Sequence, residues 1–484
     1  MVIHKVDQKR PSFIINILHS ASGGVVAALL AVIGMPIISR IYPPDAYAIW
    51  ALIMSVAFLG STIATLRYDL AIVLPKRHET AINVLALACS SAFISALILL
   101  AIILLFGESF SSFVGDKAHQ AELFFIPLFV AASGTYQSFL TWFTRLKKFH
   151  YVSIAIIATA TATICAQICT GIFFGPTPKS LVIGSVTGQF VGISIYITLF
   201  FKAGLGGLIK KISSKRITLV SKKYWYYPRY MTLYTVIGSV QDRLVLWIIN
   251  LYGTTTSVGM YSFSNKILSY PVSFLTSAIR PVIFQRTASL GVLTNEKLIV
   301  SLNRLLLTGF IPFWVLFVFY AEEVFSIVFG DEWRDAGTYA RILSFPFCLM
   351  ILNNWMDRLF DVMGKQKLAL KLQIIKLCVT ILPFTIYAAL SHQIINAIIL
   401  FSFCQFLFLT FWIITLYRVA NFKIESLIYL AVETLKVIMV SGITLFALKA
   451  LFSDAVVFTV YLSIAALLVA VRSRKNFQKL IEII

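Results

Sequence analysis

Acidic residues are scarce in this chain. Its 484 residues hold 20 Asp and Glu against 41 Lys and Arg, a formal net charge of +21, and only 13% are charged at all. Soluble domains carry about 25% charged residues, so a water-exposed surface around a soluble core is excluded. The signatures of common chemistry are also missing. There is no P-loop, nucleophile elbow or zinc-binding helix, and Gly204, Gly206 and Gly207 lack a nucleotide-binding context. The six histidines (His4, His19, His78, His119, His150, His392) have no metal-ligand spacing. The six cysteines (Cys89, Cys165, Cys169, Cys348, Cys378, Cys404) fall in or beside apolar runs, so no structural disulfide is expected. The basic start (Lys5, Lys9, Arg10) is not followed by a cleavage-site pattern, and the first apolar run reads as a retained span.

What the chain has is hydrophobic residue, 59% of the total. Apolar runs long enough to cross the hydrocarbon core recur throughout, which indicates helices and not the short alternating strands of a barrel. Fourteen spans are predicted, near residues 16–38, 46–66, 82–106, 122–144, 152–174, 180–201, 230–252, 256–284, 303–328, 337–360, 368–390, 394–417, 426–451 and 454–471. The basic residues then alternate. Thirty lie in one set of loops, tails and adjoining span ends. Six lie in the other set (Arg40, Lys117, Lys179, Arg334, Arg341, Lys449) and five within spans (Arg243, Lys266, Arg280, Lys376, Lys436). The bias predicts that both termini face the cytoplasm. It also accounts for the net charge without nucleic-acid binding. The longest inner loop, 202–229, has eight basic residues and no acidic one. It reads as an anchor on an anionic leaflet, or as a landing surface for an anionic lipid headgroup.

The charges inside spans stand out, because a charge at the bilayer centre costs about 2.5–3.5 kcal/mol even on a lenient scale. Asp242 and Arg243 lie midway along the seventh span, Lys266 deep in the eighth. In the eighth span Lys266, Ser269, Ser273, Thr276, Ser277 and Arg280 recur at helical spacing, so one face is polar from mid-membrane to the inner surface. Thr232, Thr235, Ser239 and Asp242 form a second stripe in span seven, Ser133, Gln137, Thr141 and Thr144 a third in span four, and Asn353, Asn354, Asp357 and Asp361 a fourth in span ten. Each stripe alone is equally well helix–helix glue, with Asp242 and Arg243 a packed ion pair. Taken together they favour a wet, net-cationic cavity. Fixed positive charge suits a pyrophosphate, and hydroxyls and amides suit sugars, whereas a pump for lipophilic cations would want carboxylates and aromatic faces. Glu433 and Lys436 are three apart and read as a structural pair, while Lys376 could line the cavity or snorkel.

The halves resemble each other. "YPPDAYAIW" at 42–50 parallels "YGTTTSVGMY" at 252–261, Arg67 parallels Arg280, and the basic segment after Arg145 parallels that after Gly364, at offsets near 210–218. Matched spans run in the same direction, as in a parallel repeat about an axis along the membrane normal. The predicted fold is all-α and polytopic. It has an N-terminal six-helix bundle (1–201), the basic loop (202–229), a second six-helix bundle (230–417) and two appended helices with a tail (418–484), the bundles related by a pseudo-two-fold.

The stretch "PIISRIYPPDAYAIWAL" (36–52), followed by "IATLRYDLAIVLPK" (63–76), resembles the amino-terminal signature of bacterial polysaccharide repeat-unit flippases, the Wzx group of the multidrug/oligosaccharidyl-lipid/polysaccharide exporter superfamily. "DRLVLW" (242–247), "GMYSFSNK" (259–266) and "DRLFDVMGKQKLAL" (357–370) resemble later segments of that family. The resemblance implies a MATE-like fold in the bacterial inner membrane. It implies that an undecaprenyl-pyrophosphate-linked oligosaccharide, such as an O-antigen unit, moves to the periplasmic leaflet by alternating access. The protein would be no enzyme and need no cofactor. Coupling to a proton or sodium gradient, and partnership with membrane lipids, a polysaccharide polymerase and a chain-length regulator, belong to the same expectation. Arg243, Lys266 and Arg280 are then the expected headgroup contacts, with Ser269 and Ser273 along the same wall, Arg67 at the inner rim, and Asp242 in charge balance or ion coupling. The alternatives are a drug or cation antiporter and a lipid II flippase. The latter family carries arginines in its first helix, where this chain has no Lys or Arg between Arg10 and Arg40.

Overall fold

The computed structural model describes residues 10–114, 120–451, 457–465 and 469, without the side chains of 10–22, 110, 112–114, 234, 242, 278, 281, 282, 284, 285 and 288–290. The described residues form helices α1 (Arg10–Ile41), α2 (Pro44–Ala64), α3 (His78–Val114), α4 (Phe125–Arg145), α5 (Phe149–Phe174), α6 (Pro178–Lys202), α7 (Thr232–Tyr252), α8 (Thr255–Leu290), α9 (Glu296–Phe329), α10 (Arg334–Met356), α11 (Gln366–Ser391), α12 (Ile394–Val419) and α13 (Ile424–Leu451). A further helix, α14, is described over 457–465. The first thirteen predicted spans each fall on one of these, and of the fourteenth, 454–471, residues 457–465 are helical while 454–456, 466–468, 470 and 471 lie outside the described residues, so the chain is an all-α, multi-pass membrane protein.

Among the described residues, ten helices are long and apolar enough to cross a membrane by composition alone. Helices α7, α8 and α10 are long enough but more polar, because they carry the intramembrane charges and hydroxyl stripes or, in α10, Arg334, Asp335 and Arg341 near the start. Arg341, placed in an outer loop from sequence, lies inside α10, where its Nη2 bonds Glu322 Oε1 at 2.8 Å. The tenth predicted span, drawn to residue 360, ends at Met356 and is followed by a separate short helix, Arg358–Val362.

The chain divides into two compact units, 1–262 and 263–484, with the division inside α8. In the first unit α5 packs on α1 and α6, α4 on α2, α3 and α6, and α7 on α2. The α5–α6 contact is close because α6 carries Gly184, Gly188 and Gly192 at four-residue spacing. A side chain on Gly184 would come 2.7 Å from the backbone N of Gln167 on α5, and Gly188 and Gly192 sit against Thr163 and Thr159. Small residues at this spacing let helix backbones approach in lipid. Gln167 is buried there and satisfied: its Nε2 donates to Leu181 O and Ser185 Oγ, both at 3.2 Å, and its carbonyl accepts from Tyr42 Oη at 2.7 Å.

In the second unit α9 packs on α10 and α13, α10 on α12, and α11 on α12. The pairings α3–α4, α4–α6 and α5–α6 of the first unit thus recur as α9–α10, α10–α12 and α11–α12, six helices on, as the weak sequence repeat anticipates. The expected Glu433–Lys436 pair is present at 3.5 Å, and Glu433 also accepts from Arg304 of α9 at 3.3 Å. Arg304 also lies over the Tyr429 ring at 5.2 Å. Glu433 is only 16% exposed, so the arginine depends on it. Glu433→Gln should therefore destabilise the α9–α13 contact by about 1–2 kcal/mol, read as a lower melting temperature of detergent-purified protein. A Lys436→Gln variant, whose lysine is 65% exposed, should melt as the parent does.

Candidate functional site

The first unit positions Arg243 through the seam between α2 and α7. Three contacts step along it: Ser239 Oγ to Thr62 Oγ1 at 3.4 Å, the Arg243 guanidinium 5.2 Å from the centre of the Phe58 ring, and Trp247 Nε1 to Ser55 Oγ at 2.8 Å. Residue numbers rise on α7 as they fall on α2, so the two helices run antiparallel. Arg243 is half-buried over an aromatic face, which partly offsets the cost of a cation among apolar helices. The side chain of Asp242 lies outside the described residues, and its expected role has no structural counterpart here. Arg67 follows α2 in a left-handed turn, φ +60°, after Leu66 at φ +47°. Its Nε is buried without a hydrogen-bond partner. Asp69 in the same turn is fully buried and accepts from Thr65 Oγ1 at 2.6 Å.

The second unit carries most of α8. Phe263 stacks on Trp333 with ring centres 4.0 Å apart, and Ser264 Oγ donates to Ala336 O at 2.6 Å, fixing one end of this stretch. The predicted polar face is then laid out in order. Lys266 and Ser269 are half-buried, Ser273 is exposed, and Thr276, Ser277 and Arg280 are half-buried, while Phe263, Ser264 and Val272 point into the packing. Lys266 and Arg280 are about 21 Å apart along the axis at the usual rise per residue. Ser269 donates to its own helix, to Asn265 O at 2.6 Å, and Ser277 to Phe274 O at 2.9 Å. Such back-bonding satisfies the hydroxyl without a neighbouring helix and leaves its lone pairs facing outward.

Arg280 has a partner that the sequence did not reveal. Its Nη2 donates to Asp357 Oδ2 at 2.7 Å, across 77 residues of chain, and both side chains are partly accessible, 33% and 44%. Asp357 lies just past the end of α10, in the polar stripe read from the sequence, and Arg358 beside it pairs with Asp361 at 2.9 Å. The Ser and Thr of α4 show the plainer alternative: Thr141 and Thr144 bond back to Gln137 O and Leu140 O, and Thr141 is buried. Lys376 is half-buried on α11. The geometry thus brings Lys266, Ser269, Ser273 and Arg280 onto one accessible face and adds Asp357 at the Arg280 end of it. It sets Arg243 and Arg67 in the other unit. Chemically, the face offers a point cation, hydroxyls and a guanidinium held by a displaceable carboxylate.

Among the described residues, no group of three or more His, Cys, Asp or Glu could hold a metal ion. In fold the chain is similar to the lipid II flippase MurJ in its inward closed conformation, with a TM-score of 0.68 at 15% identity over 97% of this chain and 99% of that one. It is similar too to the MATE transporter VcmN of Vibrio cholerae in its bent form (TM-score 0.56, 10% identity, 85% and 98% covered) and to the MATE multidrug transporter DinF-BH (0.57, 17%, 84% and 96%). No curated protein sequence matches. The sequence model described as "Polysaccharide biosynthesis protein" matches residues 37–338, more than half of the chain, and with that match the chain belongs to the polysaccharide biosynthesis protein family.

Proposed function

We propose that this protein is a flippase for an undecaprenyl-pyrophosphate-linked oligosaccharide repeat unit, an O-antigen or related surface polysaccharide precursor. It moves the unit from the cytoplasmic to the periplasmic leaflet of the bacterial inner membrane by alternating access. The observation that carries this reading is the accessible face of α8, which places Lys266, two serines and Arg280 in line within a membrane helix. A pyrophosphate needs fixed positive charge in a low-dielectric setting, and a chain in the polysaccharide biosynthesis family has such a cargo at hand. Both termini are cytoplasmic in this reading. The two six-helix bundles expected from the sequence, 1–201 and 230–417, are its moving parts, with α7 moving with the first unit, where it packs on α2. A proton or sodium gradient supplies the driving force, and a polymerase and chain-length regulator receive the product.

A second reading, a lipid II flippase, draws support from the fold likeness to MurJ. The absence of Lys and Arg from 11–39 speaks against it. Deletion of the gene, read by surface polysaccharide and by lipid-linked oligosaccharide inside the cell, tests both. Loss of surface polymer with accumulation of finished, inward-facing repeat units is the expected result. Unchanged polymer with new sensitivity to cationic drugs would replace the proposal with an antiporter, and cell lysis with accumulated lipid II would replace it with the second reading.

A further inference from the structure

We infer that the first unit carries a binding site for an anionic phospholipid of the bilayer, separate from the cargo face of α8. The segment between α6 and α7 is helical: a 3-10 helix at Leu205–Lys211 is followed by an α-helix at Ser214–Lys223. It is fastened to α3. Asn83 donates from Nδ2 to Lys211 O at 3.1 Å and accepts from Ser213 N at 3.0 Å, and Glu79 pairs with Lys211 at 3.4 Å and Arg216 at 3.3 Å. Val220 and Tyr224 are buried beneath it. The linker is therefore a fixed wall of the unit.

Between that wall and helices α3, α4 and α6 lies a crevice of about 250 Å³, lined by Ala86, Cys89, Phe139, Phe201, Ile209 and Ile212 among others. No charged, hydroxyl or amide side chain lines it. It is somewhat smaller than the roughly 300 Å³ at which drug-sized pockets begin, and its shape suits a stretch of acyl chain. Phe201, Ile209 and Ile212 are 57%, 45% and 37% exposed, so the crevice opens outward. Two lysines flank it in sequence: Lys202 follows Phe201, and Lys210 follows Ile209. Both are exposed, and neither forms an ion pair among the described residues. The acid that does pair in this neighbourhood, Glu79, is engaged by Lys211 and Arg216. An apolar slot with two exposed lysines, each next in sequence to a lining residue, matches one ligand class, a lipid with acyl chains and a net negative headgroup. A zwitterionic lipid would fill the slot and leave the charges unmatched.

The same linker provides an internal control. Lys215, Lys222 and Lys223 surround exposed Leu219 on the outer face of the Ser214–Lys223 helix, away from the crevice lining. The full-length protein, purified in detergent with equal amounts of phosphatidylglycerol and phosphatidylcholine of matched chains, would be read by native mass spectrometry. Phosphatidylglycerol should be retained about tenfold over phosphatidylcholine. The preference should fall to near parity in Lys202→Gln/Lys210→Gln and persist in Lys202→Arg/Lys210→Arg, which guards against misfolding. It should also persist in Lys215→Gln/Lys222→Gln/Lys223→Gln. Ala86→Trp, which fills the slot, should remove most of the retained lipid while the melting temperature holds. Equal retention of both lipids by the parent would overturn the site, as would a preference indifferent to Lys202 and Lys210, or one lost in the triple variant alone. None of these readouts requires transport, so they stand or fall apart from the flippase proposal.

Discussion

Gly184→Leu, and likewise Gly188→Leu, should prevent α5 and α6 from docking and leave little folded protein. Each side chain would have to enter a space already filled by α5. At Gly184 the obstruction includes the backbone N of Gln167, 2.7 Å from where a Cβ would sit, and backbone cannot rotate aside as a side chain does. Overpacking a core usually costs about 1–3 kcal/mol. Here the displaced helix also carries Gln167, whose amide and carbonyl bonds to Leu181, Ser185 and Tyr42 would be pulled open in a place water does not reach. The combined loss should exceed about 3 kcal/mol, of the same order as the whole stability of many proteins. The measurement is the yield of monodisperse protein in mild detergent together with its melting temperature. Gly24→Leu on α1 is the matched control, because nothing lies within 4 Å of its missing Cβ. If Gly184→Leu purified and melted as Gly24→Leu does, the close α5–α6 approach would be wrong.

Lys266→Ala and Arg280→Ala should each reduce transport of the lipid-linked oligosaccharide at least tenfold at equal amounts of folded protein, about 1.4 kcal/mol of lost stabilisation per tenfold. This expectation rests on the proposed function. Arg280→Ala removes the partner of Asp357, and in a pair this exposed the cost should be about 1 kcal/mol or less. Transport must therefore be normalised to folded protein, and a charge-exchanged variant separates the two effects. Arg280→Asp with Asp357→Arg restores an ion pair while moving the cation off α8. Recovery of the melting temperature without recovery of transport would assign Arg280 to the cargo. Recovery of both would make the pair a structural pin. Unchanged transport in both single variants would remove α8 from the route altogether.

The helices were legible because the code for them is local. Runs of apolar residue long enough to span, punctuated by basic loops, mark each helix from α1 to α13, with some ends missed by up to eight residues where polar turns extend the helix beyond the apolar run. The polar face of α8 was legible for the same reason, since Lys266, Ser269, Ser273 and Arg280 recur at the period of one helix. What escaped was pairwise and distant. The chain separates Arg280 from Asp357 by 77 residues and Arg304 from Glu433 by 129, and no spacing rule reaches that far. The three glycines of α6 were a readable signal, four apart in an apolar helix, but their meaning depends on what α5 presents to them. The loop 202–229 reads as charge alone. Its helices become visible only once Val220 and Tyr224 are seen buried beneath it.

Leu66, Arg67 and Lys147 all have positive φ, at +47°, +60° and +58°. Glycine takes that conformation freely, whereas for other residues it costs about 1 kcal/mol or more. Arg67 and Lys147 each sit just past the end of a long helix, where glycine would be the easier choice. Both are among the basic residues whose alternation along the sequence gives the expected orientation of the chain. On that expectation, information needed once, during biogenesis, is retained at these two corners at the permanent expense of a relaxed backbone. A stabilising glycine there would weaken the record of which side is which.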